Sequence, residues 1–133
     1  MDRNMKIEVS NGEIVDKITI LEIKLEKIKN PEKLQNVKKE YDLLKVCLTD
    51  IGLDSDHHLY KQLKEVNLKL WDIEDLLRIK EQKKVFDAEF IELARSVYFT
   101  NDVRAEIKKE INNLLGSNLF EEKEYVDYKA SNK

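Results

Sequence analysis

Apolar residues recur along most of this chain at alternating steps of three and four, the spacing of one face of a helix. Ile14, Ile18, Leu21, Leu25 and Ile28 form the first such seam. The preceding "SNGE" (10–13) has the S-x-x-E spacing of a capping box, which predicts a helix from near Asn11. Ile20 and Ile23 fall on nearly the opposite side of that helix. A helix apolar on two faces is expected between two neighbours, or between a neighbour and a second copy of the chain. Ahead of it, "KIEV" (6–9) alternates briefly and reads as a short extended segment.

"NP" (30–31) closes the first helix and opens the next, with Asn30 as cap and Pro31 in the first turn, where its missing N–H costs nothing. The seam resumes out of phase, which predicts a hairpin rather than a kinked rod. Leu34, Val37, Tyr41, Leu44, Leu48 and Ile51 carry the second helix to Gly52. "DSD" (54–56) is expected to open a long third helix, with Leu59, Leu63, Val66, Leu70, Ile73 and Leu77 on its seam. Running to about Lys84, it would span roughly 45 Å at 1.5 Å per residue and stand at the centre of the fold. Asp87 caps a fourth helix whose core side holds Phe90, Ile91, Ala94, Val97 and Tyr98. At "TND" (100–102) the apolar phase jumps to Val103, Ile107, Ile111 and Leu114, and three capping residue types predict a kink or a fresh start. Gly116 ends the last helix. The tail is polar from about 121 to 133 and is expected to be partly disordered, with Leu119, Phe120 and Tyr125 able to fold back.

These elements predict one all-α domain over residues 1–133, core about 7–116: an antiparallel bundle of four to five helices with a short extended N-terminal segment. Composition agrees, since 41% hydrophobic and 38% charged residues with three Gly and one Pro suit long helices better than β-turns. A formal charge of −3 gives no basis for nucleic-acid binding, which needs clustered excess cation. The single cysteine, Cys47, excludes an intramolecular disulfide. No apolar run reaches spanning length and the first residues lack a signal-peptide core, so a cytoplasmic protein away from membranes is expected.

Few catalytic signatures survive inspection. Gly-rich phosphate loops and H-E-x-x-H are absent. His57 and His58 are adjacent, so on a helix they point about 100° apart and make a poor metal pair. No metal or cofactor is indicated, although "EIVD" (13–16) and "DIED" (72–75) have the E/D-x-x-D spacing of carboxylate magnesium sites. A more informative pattern lies in "LWDIEDLLRIKE" (70–81), which holds the only tryptophan. On a helical wheel Asn67, Trp71, Glu74, Arg78 and Glu81 form a stripe beside the core seam, whereas Asp72 and Asp75 turn toward solvent. Glu22 projects onto the seam of the first helix, where a buried carboxylate needs a partner. Arg78, Arg95 and Arg104 are the candidates, because guanidinium pairs with a carboxylate in two-pronged fashion.

Three segments carry a resemblance: "VDKITILEIKLEKI" (15–28), "LWDIED" (70–75) and "LARSVYFTNDVRAEIKKEIN" (93–112). They resemble a family of small uncharacterised all-helical proteins from bacteria and marine environments, catalogued as a domain of unknown function. That resemblance implies identity without an activity, substrate or cofactor. The first helix is more loosely similar to that of all-α chorismate mutases, but Lys17, Lys24, Lys27 and Lys29 are its only bases and the arginine-rich face of those enzymes is missing.

Two functional classes follow. The first is a self-associating interaction or scaffold protein, a homodimer built on the two-faced first helix. The alternative is a protein or enzyme for a small anionic ligand, with its site between helices. Its anchors would be Arg78, Arg95 and Arg104, its orienting or acid/base groups Glu22 and Glu74, and its wall Trp71. Asn67, Asn101 and Asp102 would be polar neighbours. The same Arg/Glu stripe also fits a structural ion network that sets helix register.

Overall fold

The computed structural model describes residues 3–129, and every described element is helical. Five helices follow in order: α1 (Asn11–Lys27), α2 (Pro31–Lys45), α3 (Cys47–Ile51), α4 (His58–Lys83) and α5 (Ala88–Leu115). The expected caps close α1, α2 and α5: Ser10 accepts from the Glu13 N–H, Asn30 from Lys33, and Asp87 from Phe90. The stretch before Ser10 carries no regular structure. No described helix is long and apolar enough to cross a membrane.

Centrality belongs to α1 rather than to the long α4, because α1 packs against α2, α3, α4 and α5. Its first face contributes Val15 and Ile18 to a core completed by Leu53, Leu59, Tyr60, Leu63, Ile107 and Ile111. On its second face Ile23 is buried as well, covered by helices of the same chain. The two-faced pattern is therefore used inside the molecule. α1 runs antiparallel to the second half of α5, with the Asn11 N–H on Ser117 Oγ at 3.0 Å and Asp16 beside Arg104. α4 and α5 form an antiparallel hairpin closed at its loop by Lys80 on Asp87 at 3.0 Å.

Three further expectations need correction. The helix after Asn30 is interrupted at Val46, a β-branched residue of modest helix propensity, and resumes as the short α3 before Gly52 turns left-handed. α4 starts at His58 rather than at "DSD", because Asp54 spends its carboxylate on the Asp56 N–H at 2.8 Å and forms a turn. His57 Nδ1 caps the helix instead, accepting from Leu59 at 3.1 Å. α5 passes through Thr100, Asn101 and Asp102 without a break. Its apolar phase shifts because its first half packs on α4 with the tail beside it, whereas its second half is wedged between α1 and α4. Accordingly Ile91, Tyr98, Val103 and Leu114 are exposed, and the buried face of the second half runs through Thr100, Ile107, Lys108, Ile111 and Asn112.

The tail returns along α5. Glu121 pairs with Lys108 at 2.9 Å, and Tyr128 donates to Asp102 while its ring rests between Tyr98 and Phe99. Glu121 and Tyr128 make these anchors, whereas Leu119, Phe120 and Tyr125 stay exposed. Residues 130–133 of the expected disordered tail lie outside the described residues.

Candidate functional site

The site grows from the second face of α1, where Gly12, Asp16, Ile20 and Ile23 lie at steps of four, four and three. Gly12 allows α5 to approach: a Cβ there would stand 2.5 Å from the Lys108 carbonyl oxygen. The Gly12 N–H, in the first turn of α1, donates to Asn112 Oδ1 at 2.6 Å. One turn on, Asp16 is 1% exposed. Its Oδ1 accepts from Asn67 Nδ2 and from Arg104 Nε, both at 2.9 Å, and its Oδ2 accepts from an Arg104 terminal nitrogen. Thr19 completes the cluster, accepting from Asn67 at 3.0 Å and donating to the Asp16 carbonyl at 2.8 Å.

Lys108 lies behind this pair, its ammonium 2.9 Å from both Glu13 and Glu121 and 4.0 Å from Asp16. Burial acts to lower the Lys108 ammonium, but hydrogen bonds to Glu13 and Glu121 and the charge of Asp16 outweigh it and hold it above its ordinary range. The hydrogen bond to Asp16 likewise raises the Arg104 guanidinium, against the effect of burial. Among the described residues, no buried side-chain nitrogen or oxygen lacks a hydrogen-bond partner. Glu13 and Asp16, the acids of "EIVD", thus meet cations of their own chain rather than an open metal position. Among the described residues, no group of three or more His, Cys, Asp or Glu is placed to hold a metal ion.

Beside this cluster opens a groove of about 340 Å³ between α1, α4 and α5. Ile20, Ile23, Leu70 and Trp71 supply its apolar surface, and Asn67, Glu74, Asp75, Arg78 and Arg104 its polar one. Arg104 is the structurally distinctive member. Asp16 engages two of its five N–H donors and fixes its plane, which among the described residues leaves three donors for another acceptor. At 28% exposure its side chain is held by the core yet reachable from outside. A buried carboxylate orienting a partly open guanidinium is the arrangement that docks carboxylates and phosphates.

Five of the residues singled out in the sequence meet at this groove: Asn67, Trp71, Glu74, Arg78 and Arg104. Asn101 lines a smaller polar recess on the tail side of Arg104. Glu22 lies elsewhere, and its partners are the Tyr60 hydroxyl and Lys64 (2.9 Å) rather than an arginine. Burial and then the hydrogen bond to Glu22 push the Tyr60 hydroxyl well above the usual tyrosine range. Arg95 sits on the exposed side of α5, bound to Glu92 at 2.8 Å and lying over Phe99. Asp102 is taken by Tyr128. Asp75, expected on the solvated face, is on the groove rim, whereas Asp72 faces Lys27 at 3.9 Å.

Asp16 is the residue that sequence reasoning missed. Its signal was available: it heads the second apolar face of α1, at i−4 from Ile20 and i−7 from Ile23, where an acid must find a cation.

Residues 5–131 match a family of unknown function (DUF6165), and the chain belongs to it. No match was found among curated proteins or among solved structures.

Proposed function

Taking the chain as a member of this family, we propose that it binds a small ligand bearing an anionic group in the groove between α1, α4 and α5. The observation that carries this reading is the state of Arg104, clamped from behind by buried Asp16 with three N–H donors uncommitted among the described residues. A guanidinium already fixed in place loses little further freedom when it binds, which favours affinity. Ile20, Ile23, Leu70 and Trp71 would take an apolar body, and the groove volume lies near the lower end of the range for small-molecule sites.

The sole tryptophan is a built-in reporter. Titration with 3-phenylpropionate should give a saturable change in Trp71 fluorescence that is lost in Arg104→Gln while the helical circular dichroism is retained. Absence of a saturable response to 3-phenylpropionate and to L-phenylalanine alike up to about 10 mM, equivalent to less than about 3 kcal/mol of binding, would defeat the proposal.

A second reading, self-association, is favoured by a different place in the molecule. Near the α4–α5 loop Leu76, Ile79, Phe86 and Ile91 are exposed. Beside them α4 ends at Lys83 with Lys84 as its cap, and the first turns of α5 carry Glu89 and Glu92. A two-fold pairing of two such hairpins would set opposite charges together around an apolar centre. Light scattering tests it: a strict monomer at high concentration removes this reading, and Leu76→Glu with Ile79→Glu should dissociate any dimer.

A further inference from the structure

We infer that the ligand of this groove is a zwitterion with an apolar body, of the α-amino-acid kind. Its carboxylate would lie on Arg104, and its ammonium against Glu74, Asp75 and the face of Trp71. The assignment rests on the groove being a binding site and adds a ligand class to it.

Charge balance is the first ground. The Arg104 charge is already matched by Asp16, and Glu74 lies 3.3 Å from Arg78. Asp75 is then left on the rim without a matching cation among the groove residues. A simple anion entering this groove meets directed donors at Arg104 but an overall negative rim. A ligand that brings its own positive charge removes that conflict.

Placement is the second ground. Glu74 and Asp75 stand three and four residues after Trp71, so both project beside the indole, one helical turn along. An indole flanked by carboxylates is a cation-recognising arrangement, in which the ring face and the acids act together. The competing Glu74–Arg78 pair is a weak obstacle, since the Arg78 side chain is 77% exposed and such pairs contribute little. Glu74 is therefore free to turn toward an incoming ammonium. The two recognition elements come from different helices that line one groove: Arg104 from α5, and Trp71, Glu74 and Asp75 from α4. The apolar surface of Ile20, Ile23 and Leu70 completes the same groove.

Three probes that share one phenyl body separate the contributions: L-phenylalanine, 3-phenylpropionate and 2-phenylethylamine, each titrated against the full chain by Trp71 fluorescence and calorimetry. Phenylalanine should bind at least about tenfold more tightly than either singly charged analogue, a difference of about 1.4 kcal/mol. In Glu74→Gln with Asp75→Asn, phenylalanine should fall to the level of 3-phenylpropionate, whose own affinity should hold or rise. If 3-phenylpropionate binds as tightly as phenylalanine to the unaltered chain, the zwitterion assignment is wrong and the anion groove stands. If none of the three binds, the groove reading fails as well.

Discussion

The two ends of the α4–α5 hairpin are both rich in charge, yet they hold it differently. At the end covered by α1, Asp16 is sealed beneath Arg104 and Lys108, and Asn67, Thr19 and Asn112 satisfy the remaining polar atoms. At the loop end, Glu74–Arg78, Glu92–Arg95 and Lys80–Asp87 pair on the open surface. The residue types are the same. What differs is α1, which excludes water from one set of pairs and leaves the other solvated. Solvated pairs exchange protein contacts for water at little cost, whereas a sealed pair that loses a member leaves a charge with nowhere to go.

The largest expected consequence is at Asp16. Asp16→Ala should destabilise the fold by about 3 kcal/mol, because it takes from one edge of Arg104 and from the Asn67 amide the acceptor they share inside the seam. Urea denaturation measures this, and a loss under about 1 kcal/mol would show that water replaces the carboxylate easily. Next is Gly12→Ala, where the new Cβ meets backbone rather than a flexible side chain. Spreading α1 from α5 should cost about 1–3 kcal/mol. It should also weaken binding in the groove, because Arg104 is carried on α5 and its anchor Asp16 on α1.

Much of the fold was legible in the sequence, and the reasons are local. Ser10, Asn30 and Asp87 cap their own helices through residues within three positions, so nothing distant is needed to read them. The stripe Asn67, Trp71, Glu74 and Arg78 was also legible, since a wheel gives angles along one helix. A wheel does not give what a neighbouring helix covers, and the errors at Arg95, Thr100 and Glu22 follow from that. Arg95 has the angle of a core-flanking residue, but α1 does not extend over it. The phase jump at Thr100 looked like a break because one helix was asked to face one partner. Glu22 drew attention as an acid on the principal seam, whereas the truly sealed acid heads the second face, under a helix distant in sequence.

The loop end predicts the contrast from the other side. Arg78→Ala removes an exposed i,i+4 pair and should change stability by no more than about 0.5 kcal/mol. Leu76→Glu should be similarly mild for the monomer, within about 0.5 kcal/mol, since the side chain is already exposed. Costs at these positions approaching that of Asp16→Ala would mean that a second copy of the chain covers this end, and thermal melts at two concentrations would reveal it.

The smallest effect sharpens the comparison most, because it concerns one ammonium shared by a sealed acid and two more open ones. Lys108 faces Asp16 in the interior, Glu13 on α1 and Glu121 from the tail, and the Glu121 side chain is 52% exposed. The hydrogen bond to Lys108 holds the Glu121 carboxyl below its ordinary range, against a weaker upward push from burial. A group whose pKa is depressed on folding contributes stability at pH values above its unfolded pKa, and that contribution fades as pH falls through the folded value. The tail anchor should therefore be complete at neutral pH and weaken from about pH 4.3 downward, the ordinary glutamate value. After solvent screening, its share of global stability should be only a few tenths of a kcal/mol. Backbone NMR relaxation around residue 121 is the appropriate measurement, since it reports local order without requiring a hydrogen-bonded amide. Order there should fall on acidification, while α1 around Asp16 keeps that of a rigid backbone. In Glu121→Gln the tail should already be less ordered at neutral pH and lose this pH dependence. A tail that keeps its order in acid would show that Tyr128 on Asp102 and the Tyr98–Phe99 rings are sufficient to hold it.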